Sequence, residues 1–172
     1  MAKGYMALVL HAHLPYVRHP EHDNSLEERW LFEAISESYI PLLNSFEILE
    51  KEGVDFSLTM SLTPPLLTML SDPLLQGRYI DYLYKLIELS GREMERTSGS
   101  PEFNRLASEY NEKYKNDLFI FRDKYGCNII SGFKRLFDSG KIEIMASAAT
   151  HSYFPLMSLT PESIKSQVTV GV

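Results

Sequence analysis

Cysteine is almost absent: Cys127 is the only one in 172 residues. A lone thiol excludes an internal disulfide framework and a cysteine-built zinc site. Cys127 therefore reads as a small, partly buried residue in a helical region. Tryptophan is equally scarce, with Trp30 alone. Long hydrophobic runs are missing too. The first apolar run, Tyr5 to Leu10, is too short for a signal-peptide core, and its positive flank is only Lys3. No stretch approaches the roughly 20 apolar residues of a membrane span. No membrane partner is expected, and the expected compartment is the cytoplasm. Basic charge is in deficit: 17 Lys and Arg against 23 Asp and Glu give a net charge of −6. The basic residues are scattered, which leaves no surface for tracking phosphates and excludes nucleic acid as an expected partner. There is no phosphate loop, no G-x-S-x-G elbow and no nucleophilic-cysteine context.

What is present is ordinary in bulk and patterned in detail. Hydrophobic content of 44% and charged content of 23% suit a globular protein. The length fits one domain with a substantial core. Tyr5-Met-Ala-Leu-Val-Leu10 reads as a fully buried strand, apolar on both faces, extended by His11-Ala-His13. Asn24 or Ser25 can cap a helix from Leu26, with Glu27 and Glu28 in its first turn. Glu27, Glu28 and Arg29 read as a solvated face. Pro41 is expected to break or kink this segment, and a second helix runs from Leu42 to Glu52 and stops at Gly53. Val54 to Met60 alternates and reads as a second strand. A long helical region follows from Pro65 to Lys124, interrupted at Ser98-Gly-Ser-Pro101. Ile129 to Asp138 is a further helix. Lys141-Ile-Glu-Ile-Met-Ala146 is a third strand, and Thr160 with Pro161 opens a last helix. Strands separated by helices imply a parallel sheet, with a helical insertion over about residues 65–139 between the second and third strands.

Sites in parallel α/β sheets form at the C-terminal ends of strands. All three ends here are polar: His11 and His13; Thr59, Ser61 and Thr63; Ser147, Thr150 and His151. Residues two apart on a strand share a face, so His11 and His13 point the same way, and His151 can join them. Three readings stay open for the pair: a metal site, a site for sugar hydroxyls, or packing. A zinc site would need histidine to supply nearly every ligand. Trp30 is either core or a sugar platform. Glu143, between Ile142 and Ile144, either faces the site or pairs with an external lysine. His19 and His22 lie in a polar loop without a spacing signal.

Five segments occur together and in order: Leu10-His-Ala-His-Leu-Pro-Tyr16, Leu26-Glu-Glu-Arg-Trp-Leu-Phe-Glu-Ala34, Leu58-Thr-Met-Ser-Leu-Thr-Pro-Pro65, Gly140-Lys-Ile-Glu143 and Ala149-Thr-His151. Together they resemble the N-terminal part of a family 57 glycoside hydrolase, in the group of α-1,4-glucan branching enzymes and α-amylases. The resemblance covers essentially residues 1–172. It implies an α/β fold, the first three β/α units of an incomplete (β/α)7 barrel, and a retaining double displacement on α-1,4-glucan such as amylose, glycogen or starch. It implies sugar contacts by His11 in the −1 subsite, with His13 in the same motif, a substrate platform at Trp30 and a further sugar contact at His151. Glu143 matches the glutamate of the second motif and is not the family's nucleophile.

The nucleophile Glu is expected on a following strand and the acid Asp further on, so neither is assigned to a residue of this chain. No metal and no cofactor are expected. The 172 residues alone are expected to be inactive. An open third-strand edge is expected to favour self-association. Two alternatives remain. One is a zinc-dependent deacetylase-like or mannosidase-like barrel, disfavoured because Leu10, Ala12 and Leu14, not Asp, flank the histidines. The other is a non-catalytic glucan-binding module.

Overall fold

A computed structural model describes residues 4–23 and 25–171. The cap expected from Asn24 lies outside the described residues. Strand β1 (Val9–Ala12) is followed by α1 (Leu26–Ala34), a π-helical segment (Ile35–Tyr39) and α2 (Ile40–Lys51). Strand β2 (Leu58–Leu62) leads into α3 (Pro64–Leu70), α4 (Pro73–Arg96), α5 (Pro101–Leu118), a second π segment (Phe119–Lys124) and α6 (Ile130–Asp138). Strand β3 (Ile142–Met145), a 3-10 turn (Phe154–Met157) and α7 (Pro161–Gly171) complete the order. The three strands form one parallel sheet in the order β1-β2-β3. The alternation of helices and parallel strands is the one expected, and α3 to α6 lie between β2 and β3. No helix among the described residues is long and apolar enough to cross a membrane.

The core lies between one face of the sheet and the helices. Leu58, Met60 and Leu62 of β2 and Ile142 of β3 are buried on that face, as is Ala12 of β1. Leu31, Ile40, Leu43, Leu66, Tyr79 and Phe133 pack from the helices in the same cluster. The opposite face of the sheet is open, and this overturns the reading of the first strand as fully buried. Tyr5 and Met6 are almost wholly exposed, and Val9 is half-exposed. Pairing with β2 begins only at Val9 opposite Thr59. Residues 4–7 are exposed and pair with no neighbouring strand, so the strand does not extend through them.

The second strand also starts later than expected. The Val54 N–H bonds the Leu49 carbonyl at 2.9 Å and the Gly53 N–H bonds Glu50 at 3.1 Å. Gly53 takes the left-handed conformation, at φ +70°, that closes α2 in this way. Val54 is thus consumed by the helix terminus, and the strand begins at Leu58. The same closure recurs after α6 at Gly140, φ +72°.

Pro41 neither breaks nor ends the helix. The chain instead widens by one residue per turn over Ile35–Tyr39, and the Ile40 N–H bonds the Ile35 carbonyl. Proline has no N–H for the next rung and its ring crowds the carbonyl one turn back. The Ser36 carbonyl, five residues before Pro41, is taken by Lys113 Nζ at 3.1 Å. The Ser36 hydroxyl meets the buried Tyr79 hydroxyl at 2.7 Å. The long helical region has a second break, at Ser71-Asp72, beside the one expected at Ser98–Pro101. Asp72 Oδ1 accepts from the Leu74 and Leu75 N–H groups at 2.9 and 3.1 Å and starts α4.

Glu28 does not belong to a solvated face. It is buried, at 1% exposure. Its carboxylate takes Arg78 Nη1 at 2.7 Å and the His19 N–H at 2.9 Å. A buried carboxylate needs such partners, and they tie the loop before α1 to α4. Cys127 sits not in a helix but in the turn before α6, with φ +66°.

Candidate functional site

His11 lies opposite Ser61 on β2, and Ser61 lies opposite Met145 on β3. Strand alternation puts Val9, His11 and His13 on the open face of the sheet. Thr59, Ser61 and Thr63 share that face, as do Glu143 and Met145. Leu58, Met60 and Leu62 turn to the helices. The ladder persists past the strand ends, where the Thr63 N–H bonds the Ala12 carbonyl at 3.2 Å. His13 therefore meets Thr63 as His11 meets Ser61.

Three histidines converge there. The ring centroids of His11 and His13 are 6.1 Å apart, those of His11 and His151 5.0 Å, and those of His13 and His151 4.1 Å. Each Nδ1 is tied back to a hydroxyl: His11 to Ser61 Oγ at 2.5 Å, His13 to Thr63 Oγ1 at 2.9 Å, His151 to Ser147 Oγ at 3.0 Å. No Nε2 of the three has a protein partner among the described residues. Burial, and then the neighbouring His151 and His11, hold His13 below the usual histidine pKa.

His151 reaches the cluster from the turn after β3, in the left-handed backbone region at φ +55°. A clamp from α7 holds that turn. Gln167 accepts the Thr150 N–H at 2.9 Å and donates from Nε2 to the Thr150 hydroxyl at 2.9 Å. Its own carbonyl takes the Ala149 N–H at 3.0 Å. Gly171 packs where a Cβ would stand 2.2 Å from the Ser147 carbonyl oxygen. Sequence reading missed Gln167 as a functional residue, and no local signal marks it. Ser61, Thr63 and Ser147 were legible as polar strand ends, but their pairing with individual histidines was not.

Two grooves flank the cluster. One, of about 430 Å³, is lined by His13, Tyr16, Pro65, Thr68 and Thr150 among others. The other, of about 370 Å³, runs beside β1 past His11, His13, Ser38 and Tyr39. Both are in the size range of small-ligand sites. Trp30 is half-exposed on α1 and lines neither groove. Glu143 lies one step toward the strand N-termini from His11, with Thr59 Oγ1 donating to its Oε2 at 3.3 Å. It is on the histidine face, and its partner is a threonine, not an external lysine. Among the described residues no three His, Cys, Asp or Glu side chains are arranged to hold a metal ion.

A family model described as glycosyl hydrolase family 57 matches residues 7–171. The chain belongs to that family. Among its family 57 relatives is the 1,4-alpha-glucan branching enzyme TK1436 of Thermococcus kodakarensis. It is 36% identical over 171 residues, which are 99% of this chain and 24% of that protein. The crystal structure of the alpha-amylase AmyC from Thermotoga maritima superposes with a TM-score of 0.90 at 50% identity, over 96% of this chain and 32% of that one. The branching enzyme from Pyrococcus horikoshii also gives a TM-score of 0.90, at 35% identity, over 99% of this chain and 32% of that one. The family 57 region described here, a small parallel sheet with many helices, thus spans about a quarter to a third of the length of these relatives.

Proposed function

We propose that this chain supplies the histidine-bearing part of an α-1,4-glucan site in a family 57 enzyme that works by retaining double displacement. Its three strands are read as the first units of a (β/α)7 barrel, with the open sheet face turned to the lumen. His11 and His13 hold hydroxyls of the sugar in the −1 subsite, His151 adds a third contact, and Trp30 is a platform further out. Glu143 supports the site floor through Thr59. The nucleophile and the general acid are assigned to no residue of this chain. Branching and hydrolysis share the glycosyl-enzyme step and differ in the acceptor, a glucan 6-hydroxyl or water.

The observation that carries this reading is the convergence of three histidines, each tied back through Nδ1 and each with an Nε2 unpartnered among the described residues, beside grooves of sugar size. Oriented, neutral rings suit sugar hydroxyls, which both donate and accept. Affinity electrophoresis through amylose or glycogen tests it. The unmodified chain is expected to be retarded. His11→Ala and His13→Ala are each expected to weaken retardation by about three- to tenfold, the size of one net neutral hydrogen bond. Unchanged mobility in both variants would sink the reading. Incubation with amylose is expected to give no sustained turnover by the 172 residues alone. A non-catalytic glucan module would give the same binding and the same lack of turnover. Nothing favours the zinc deacetylase-like alternative: Ala12 and Leu14 stand where such a site wants an aspartate.

A further inference from the structure

We infer that Ser61 and Thr63 are positioning residues that fix His11 and His13 as neutral Nε2–H tautomers, so that both rings present N–H donors to the site. The inference deepens the proposed sugar site and rests on it only for what those donors meet.

The hydroxyl protons of Ser61 and Thr63 decide the tautomers. Ser61 is 4% exposed and Thr63 is 0% exposed. A buried O–H left without an acceptor is costly, so each proton must go to an acceptor. Among the described residues the Ser61 Oγ has one hydrogen-bond partner, His11 Nδ1, and the Thr63 Oγ1 has one, His13 Nδ1. Thr63 is the residue before α3, yet its side chain caps no helix N–H. Pro64 and Pro65 have none to offer, so the hydroxyl is free to turn across the ladder to the ring. Each hydroxyl therefore donates, and each Nδ1 accepts. A neutral imidazole with a lone pair at Nδ1 carries its proton at Nε2.

Two consequences follow for the chemistry. Donor rings bind the oxygens of sugar hydroxyls and cannot act as general bases through Nε2. The same rings have no lone pair at Nε2 for a cation; a metal-ligating histidine needs the opposite arrangement, with its remote N–H donating to an acceptor. The titratable groups facing these rings are His11, His13 and His151 themselves, with Glu143 one step away on β3. His151 is not fixed in this way. Its partner Ser147 has a second acceptor, the Ala148 carbonyl at 3.5 Å, and His151 itself is exposed.

Long-range proton–nitrogen correlation spectra of the 15N-labelled chain at pH 8 read the tautomer of each ring directly. The expected result is a bare Nδ1 and a protonated Nε2 for His11 and His13. In Ser61→Ala the His11 pattern is expected to move toward a mixture of tautomers while His13 stays, and in Thr63→Val the reverse. A protonated Nδ1 on either ring of the unmodified protein overturns the inference, whether or not the variants fold. So does a His11 pattern unmoved by a folded Ser61→Ala. The spectra need no ligand, so failure of the tautomer assignment and failure of glucan binding are separate outcomes. Zinc added at equimolar amount is expected to leave both ring patterns unchanged, and broadening of both would count against the assignment.

Discussion

His13 refuses protons that a free histidine would take. Burial, with His151 and His11 adjacent, lowers its pKa from the unfolded value of 6.5. Below pH 6.5 the unfolded chain therefore binds a proton that the native ring does not. The stabilisation from neutral His13 is full above pH 6.5 and is lost as pH falls toward the lowered pKa. Urea midpoints at pH 7.5 and 5.5 check this: His13→Gln is expected to show a smaller drop on acidification than the unmodified chain. Glu28 makes a sharper case. Its carboxylate and the Arg78 guanidinium are both largely out of water, with side chains 2% and 15% exposed. Glu28→Gln keeps the shape and leaves a buried positive charge unpaired. Breaking such a pair costs about 3–5 kcal/mol, read as a lowered urea midpoint with an unchanged slope. A loss under about 1 kcal/mol would mean that Arg78 finds water at little cost.

At the scale of elements, the first turn of α2 and the clamp of α7 decide where side chains go. Pro41 looks like a stop signal, and it would be one in an isolated helix. The widened turn at Ile35–Tyr39 lets the helix continue because Lys113 and Tyr79 satisfy what the ladder leaves open at Ser36. Those partners lie on α5 and α4, 77 and 43 residues away, where no local pattern reveals them. Gln167 acts similarly on the turn that carries His151. Gln167→Ala removes the side-chain hydrogen bonds to Thr150 and leaves the helix intact. Net bonds of about 1 kcal/mol each imply amide exchange at Thr150 faster by roughly fivefold or more. An unchanged Thr150 exchange rate in the variant would show that Gly171 and the Ala149 bond hold the turn alone.

At the scale of the whole molecule, the sheet has helices on one face and an open second face, with β1 and β3 as its edges. An open edge is a template for pairing. Half-exposed Val9 and the exposed Leu156, Leu159 and Val170 add apolar surface. The 172-residue chain is expected to associate as its concentration rises, seen as a growing mass in light scattering and as exchange protection of Ile142–Met145. A mass fixed at that of one chain over a hundredfold range of concentration would contradict this. The apolar groove between α4 and α5, lined by Leu89, Phe103 and Leu106, is a separate feature remote from the sheet edges.

The order of strands and helices and the polar strand ends were legible in the sequence because they are local: side-chain alternation, helical spacing, Gly53 and Gly140 as terminators. His11 and His13 could be put on one face from strand geometry alone, and the family pattern added His151 and Trp30 as candidates. Tertiary structure decided what depends on partners distant in sequence. It shortened β1 and β2, since a strand exists only where a ladder partner does. It buried Glu28, because Arg78 stands opposite. It brought His151 within 4.1 Å of His13 and gave each histidine its own hydroxyl. Whether an imidazole donates or accepts is set by the atom facing its other nitrogen, and only the register of β1 against β2 puts Ser61 and Thr63 there.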